Sequence, residues 1–130
     1  LVPAFLYRAF RSQRQAERSD GFLGGYLAMA PRRAFWTVTL WRDAEAMRVY
    51  RRAGAHLAAM PKLLVWCDEA AVATLADVET LPEPEEAARR LAAEGRLSKV
   101  RHPSPAHAGG ALWPDAAVPR ATQRLKPRVP

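Results

Sequence analysis

The chain has 130 residues and a mass of 14.4 kDa, and its 49% apolar content suits one domain with a modest core and excludes global disorder. The net charge of +7 is uneven: residues 1–60 carry +6, residues 61–95 carry −5 and residues 96–130 carry +6. No uninterrupted apolar run is long enough to cross a membrane, Leu1 opens without the sections of a secretory signal, and the single Cys67 excludes an intrachain disulfide; a cytoplasmic location is the expectation.

Residues 3–19 read as a helix with Pro3 in its first turn. Phe5, Leu6, Ala9, Phe10 and Ala16 supply the expected packed side, and Arg8, Arg11, Arg14 and Arg18 form a polar stripe at three- or four-residue spacing. That stripe offers an anion-binding face; ordinary helix solvation is the competing reading. Ser19-Asp20-Gly21 predicts a turn, and Phe22–Met29 a strand in which Gly24-Gly25 introduces a bulge or a close backbone approach. The glycines lack the spacing of a phosphate-binding loop.

Pro31-Arg32-Arg33 leads into a second strand, Phe35–Trp41, predicted to pair antiparallel with the first. Its alternation yields two uncharged sets, Phe35/Thr37/Thr39/Trp41 and Trp36/Val38/Leu40, as expected of a strand covered on both faces. Asp43 is placed to cap a helix, with Glu45 in its acid-favouring first turn. That helix runs to about Ala53 with Ala46, Met47, Val49, Tyr50 and Ala53 packed, and Gly54 relaxes its end. A short helix over 55–60 precedes Pro61, and Leu63-Leu64-Val65-Trp66-Cys67 reads as a strand that continues irregularly through 71–75. Residues 85–94 predict a helix ending at Gly95, and residues 96–101 an edge strand.

The expected architecture is α+β. Residues 1–102 form a single ferredoxin-like domain, and residues 103–130, with six prolines and two consecutive glycines, form an extended or disordered tail. One strand before Leu1 would complete a βαββαβ order.

The stretches Phe35–Trp41, Ala46-Met47-Arg48, Gly54-Ala55-His56, Met60-Pro61 and Trp66-Cys67-Asp68-Glu69-Ala70 carry a resemblance to a known group. With Gly21-Phe22-Leu23-Gly24 and residues 95–104 they span about residues 5–105. The chain resembles the dimeric α/β-barrel superfamily, especially relatives of spheroidene monooxygenase and of antibiotic-biosynthesis monooxygenases. That resemblance implies a ferredoxin-like dimeric α/β barrel with the usual first strand absent upstream of Leu1. It also implies a homodimer in which two sheets meet, and a cavity between helices and sheet in each subunit.

The activity implied by the resemblance is monooxygenase-like, on a hydrophobic or aromatic small molecule. Some relatives bind or process haem, which makes haem the candidate cofactor. His56 is the strongest individual candidate: an imidazole beside a helix break can transfer a proton near neutral pH or ligate haem iron. A helix cap or a structural hydrogen bond is its ordinary alternative. Asp68 and Glu69 are catalytic candidates because either can orient His56 or Arg48, against a simple turn or salt bridge. Trp36 and Trp41, with Trp66, offer faces to a planar ligand, against core anchoring.

Cys67 reads as a small buried side chain, and His102 and His107 make no metal motif by their spacing. The alternative function is a non-enzymatic small-molecule-binding or structural homodimer. Nucleic acid ranks behind both, and it requires salt-sensitive association through Arg8, Arg11, Arg14 and Arg18.

Overall fold

The computed structural model describes residues 2–30, 34–66, 71–97 and 120–128. Helix α1 (Val2–Glu17) turns at Ser19-Asp20-Gly21 into strand β1 (Phe22–Ala30), which pairs antiparallel with β2 (Ala34–Trp41). Helix α2 (Ala44–Arg51) and helix α3 (Gly54–Trp66) follow, then β3 (Ala71–Val72), α4 (Pro84–Glu94), β4 (Arg96–Leu97) and β5 (Arg120–Leu125).

Local chemistry accounts for the first half. The register shifts between Phe22 and Gly24, at the glycine pair that predicted a bulge. A Cβ on Gly25 would lie 2.5 Å from the Val38 carbonyl oxygen, so the β1–β2 approach requires glycine there. Asp43 caps α2 by accepting a 2.8 Å hydrogen bond from the Ala46 amide. Gly54 joins α2 to α3 with φ +56, in the left-handed region that favours glycine.

The sheet of the described residues has the order β2-β1-β5 and is open, and β3 pairs with β4 as a separate ribbon. This corrects the expected ferredoxin-like dimeric α/β barrel: the sheet does not close. Two substitutions of element explain the difference. The apolar run Leu63–Trp66, expected as strand, completes α3. Four consecutive apolar residues do not distinguish a buried strand from a buried helix. Pro61 lies inside that helix, where its missing N–H omits the bond to the Leu57 carbonyl. The third strand of the sheet comes instead from Arg120–Leu125, within the segment read from sequence as a proline-rich tail.

Pairing places Phe22, Gly25, Leu27 and Met29 on one sheet face with Trp41, Thr39, Thr37 and Phe35. Helices cover the Phe22–Trp41 end of this face, where Ala16, Phe22, Tyr50 and Leu125 form the core with Leu27 and Trp41 against it. Tyr26 and Ala28 lie on the opposite face, both buried; Tyr26 donates a 2.7 Å hydrogen bond to the Pro82 carbonyl. Burial with Glu83 nearby pushes the Tyr26 phenol up to about 12. Cover on the first face stops short of its far end, where Met29 is 44% and Phe35 38% exposed, so the β1–β2 pair is only partly covered there.

At Phe10 the packed side of α1 differs from expectation, while the side chains of Phe5 and Leu6 lie outside those described. Ala16 is buried, but Phe10 is 49% exposed, and Gln13 and Glu17 are buried in its place. Glu17 is held from β5: its carboxylate accepts from the Lys126 amide at 3.0 Å and from Arg128 Nε at 3.3 Å. The Arg128 amide also donates to the Glu17 carbonyl at 2.7 Å.

Candidate functional site

His56 stands in the first turn of α3, at the end of a row of rings. Phe22 meets Trp41 edge-on at 5.2 Å, Trp41 meets Tyr50 at 5.0 Å, and Tyr50 meets His56 at 4.7 Å between centroids. Trp41 Nε1 donates to Thr39 Oγ1 at 2.9 Å, and the Tyr50 hydroxyl donates to the Ser12 carbonyl at 3.1 Å. Burial raises the Tyr50 phenol well above its ordinary value.

The joint between α2 and α3 is organised by Gln15. Its Nε2 donates to the carbonyls of Tyr50 at 3.0 Å and Ala53 at 2.8 Å, and its Oε1 accepts from the His56 amide at 2.7 Å. One amide side chain thus adds a second donor to two carbonyls that already accept backbone bonds, from the Ala53 and Leu57 amides, and serves an N–H in the first turn of α3. A Cβ on Gly54 would lie 3.3 Å from that side chain, which adds a spatial reason for glycine. His56 Nδ1 lies 3.3 Å from the Arg51 carbonyl. Burial lowers the imidazole pKa; the Arg51 carbonyl opposes that shift and the Arg51 charge adds to it. The neutral ring is favoured, with Nδ1–H donating to that carbonyl.

The sequence candidates do not gather at one point. Trp41 and His56 both contact Tyr50, whereas Trp36 lies on the other sheet face. Asp68 and Glu69 fall outside the described residues, as do Cys67, His102 and His107. Among the described residues no three His, Cys, Asp or Glu side chains converge for a metal ion. Tyr50 packs on the His56 ring, Trp36 and Trp41 lie on opposite sheet faces, and His56 lines neither of two surface hollows. Those hollows are open surface features. One, of about 250 Å³, lies between Ser19, Arg42, Glu45 and Tyr50; the other, of about 320 Å³, lies beside Tyr26, Pro82, Glu83 and Arg124.

The second constellation is the outer face of α1. Tyr7, Phe10, Arg11, Arg14 and Arg18 are all exposed and fall within one narrow arc of the helix. The Arg11 guanidinium sits 5.8 Å from the Tyr7 ring centroid and donates to its hydroxyl at 3.0 Å, and Arg14 sits 5.2 Å from the Phe10 centroid. Arg8 is half-buried at the edge of this face. Sequence reasoning found the arginines but assigned Phe10 to the core and passed over Tyr7, Gln15 and Glu17. Gln15 carried no signal, since at helical spacing it falls beside Arg8 and Arg11 on the polar arc.

No protein-family model, curated protein or solved structure matches the chain. The resemblance to the dimeric α/β-barrel superfamily is thereby corrected, since the sheet is open and no homology supports it. No oxidoreductase or monooxygenase signature accompanies the described residues or the comparisons. Among the described residues, no helix is long and apolar enough to cross a membrane.

Proposed function

We propose that the chain is a non-enzymatic binding protein, which meets its partner through an exposed surface rather than a buried reaction centre. The observation that supports this reading is the engagement of His56. Its amide is bonded to Gln15, its Nδ1 faces the Arg51 carbonyl and its ring packs on Tyr50. A general base needs a nitrogen directed at a substrate space, and neither principal hollow includes this ring. Gln15, Tyr50 and His56 instead act as a joint that fixes α1 against α2 and α3, and α1 turns its arginines and two rings outward.

The test is an absorbance titration with haem of the full chain and of His56→Gln, with thermal unfolding of both. The binding reading expects no iron-ligand band in either protein and a lower melting temperature for the variant. A saturable band that disappears in His56→Gln, without loss of fold, overturns it.

A further inference from the structure

The exposed face of α1 joins three features that point to one kind of partner. The first is unneutralised charge. Carboxylates elsewhere serve cations near them: Asp20 and Asp43 hold Arg42, Glu45 holds Arg48, Glu86 holds Arg89, and Asp77 with Glu94 holds Arg90. Among the described residues, no ion pair engages Arg11, Arg14, Arg18 or Lys126. The second is continuity. Lys126 is tied through its amide to Glu17 on the flank of α1, so the exit of β5 runs beside the basic helix face. Glu17, on that border, is buried and bonded to Arg128.

The third feature is aromatic. Tyr7 is 56% exposed and Phe10 is 49% exposed, on the same arc as the arginines and each beside a guanidinium. Ordinary solvation of a helix explains exposed arginines; it does not explain two large rings among them. From Tyr7 to Arg18 the face extends about 16 Å along the axis, with its cations about 4.5–6 Å apart.

We infer that this α1–β5 face binds single-stranded nucleic acid, with Arg11, Arg14, Arg18 and Lys126 on phosphates and Tyr7 and Phe10 stacking on bases. The inference rests on the binding reading above. Guanidinium forks match phosphate oxygens, and an exposed ring stacks on any base, which gives affinity with little sequence preference. An anionic membrane is the less suited polyanion. Among the described side chains of α1 the two exposed rings are a small apolar payload, and the arginines share their arc instead of lying on an opposite polar face.

The test is fluorescence anisotropy of the full chain with a labelled oligo-uridylate at several salt concentrations. Two variants are compared: Arg11→Glu/Arg14→Glu/Arg18→Glu and Tyr7→Ala/Phe10→Ala. All five side chains are exposed, and unchanged circular dichroism and melting temperature establish the fold. The arginine variant is expected to flatten the salt dependence by about 2 in log–log slope, near 0.7 for each phosphate that no longer meets a guanidinium. The ring variant is expected to weaken binding about fivefold or more while keeping the wild-type slope.

Inorganic polyphosphate and vesicles of phosphatidylcholine with phosphatidylserine are measured in parallel. Polyphosphate binding as tight as oligo-uridylate, with no effect of the ring variant, overturns the base-stacking assignment. Vesicle binding without oligonucleotide binding overturns the nucleic-acid assignment while the binding reading stands. A His56-dependent haem band is the separate result that removes the binding reading itself.

Discussion

Replacing Gln15 by Met keeps the length and helix preference of the side chain and removes its three hydrogen bonds, at 3.0, 2.8 and 2.7 Å. Each such bond contributes about 1 kcal/mol net, with a spread of about half that. The Ala53 bond is exposed and water can replace it, whereas those to Tyr50 and His56 are partly buried. The expected loss is therefore about 1.5–3 kcal/mol. An unfolding entropy of about 2.1 cal/mol/K per residue over this chain turns that loss into a fall of about 6–11 °C in melting temperature. Gln15→Glu is the companion variant. It keeps an acceptor for the His56 amide but turns a carboxylate oxygen toward two carbonyls, so at neutral pH it should be at least as destabilised as Gln15→Met. Equilibrium urea denaturation followed by circular dichroism measures both. A Gln15→Met protein within about 0.5 kcal/mol of the parent refutes the claim that this side chain fastens the α2–α3 joint.

Two further outcomes follow from the same core. The folded His56 imidazole has a pKa below its ordinary 6.5 because burial disfavours the cation, so the unfolded chain binds that proton more readily. Its contribution is present above pH 6.5 and is lost as the pH falls through the folded value; melting temperatures from pH 7.5 to 5 should decline more steeply for the parent than for His56→Gln, and parallel profiles contradict this. Leu125→Ala, at a side chain 2% exposed in the core, should cost about 2–5 kcal/mol in urea denaturation, and a loss under 1 kcal/mol means β5 does not complete the core.

The elements with local signals were legible in the sequence. Asp43 announced α2 through its short oxygen-bearing side chain, Gly24-Gly25 announced the bulge, and Gly95 ends α4 as its position suggested. Leu63–Trp66 was not legible, because its residues suit helix and strand alike and only neighbouring turns decide. β5 was hidden for a different reason. Arg-Ala-Thr-Gln-Arg-Leu has little alternation, five of its residues are exposed, and its strand form depends on pairing with a distant edge. The reading of α1 found the charged residues by spacing, but spacing cannot say which way a phenylalanine turns: Phe10 adjoins both arcs, and burial of Gln13 and Glu17 directs it outward. For His56 the sequence offered proton transfer, iron ligation or a structural bond, and its neighbours Gln15 and Tyr50 come from other helices.

The late arrival of β5 has a consequence for biosynthesis. Thr122 bonds across 95 residues to the Leu27 carbonyl, so the sheet waits for sequence made long after its first hairpin. At ribosomal rates of roughly 5–20 residues per second, about 4–17 s pass between synthesis of Trp41 and of Leu125. Throughout that interval β1 lacks the partner that occupies its second edge in the finished fold, and Ala16 and Phe22 lack Leu125 above them. The nascent α1–β1–β2 unit therefore carries an unpaired β1 edge, open to non-native strand pairing, until β5 is made and docks.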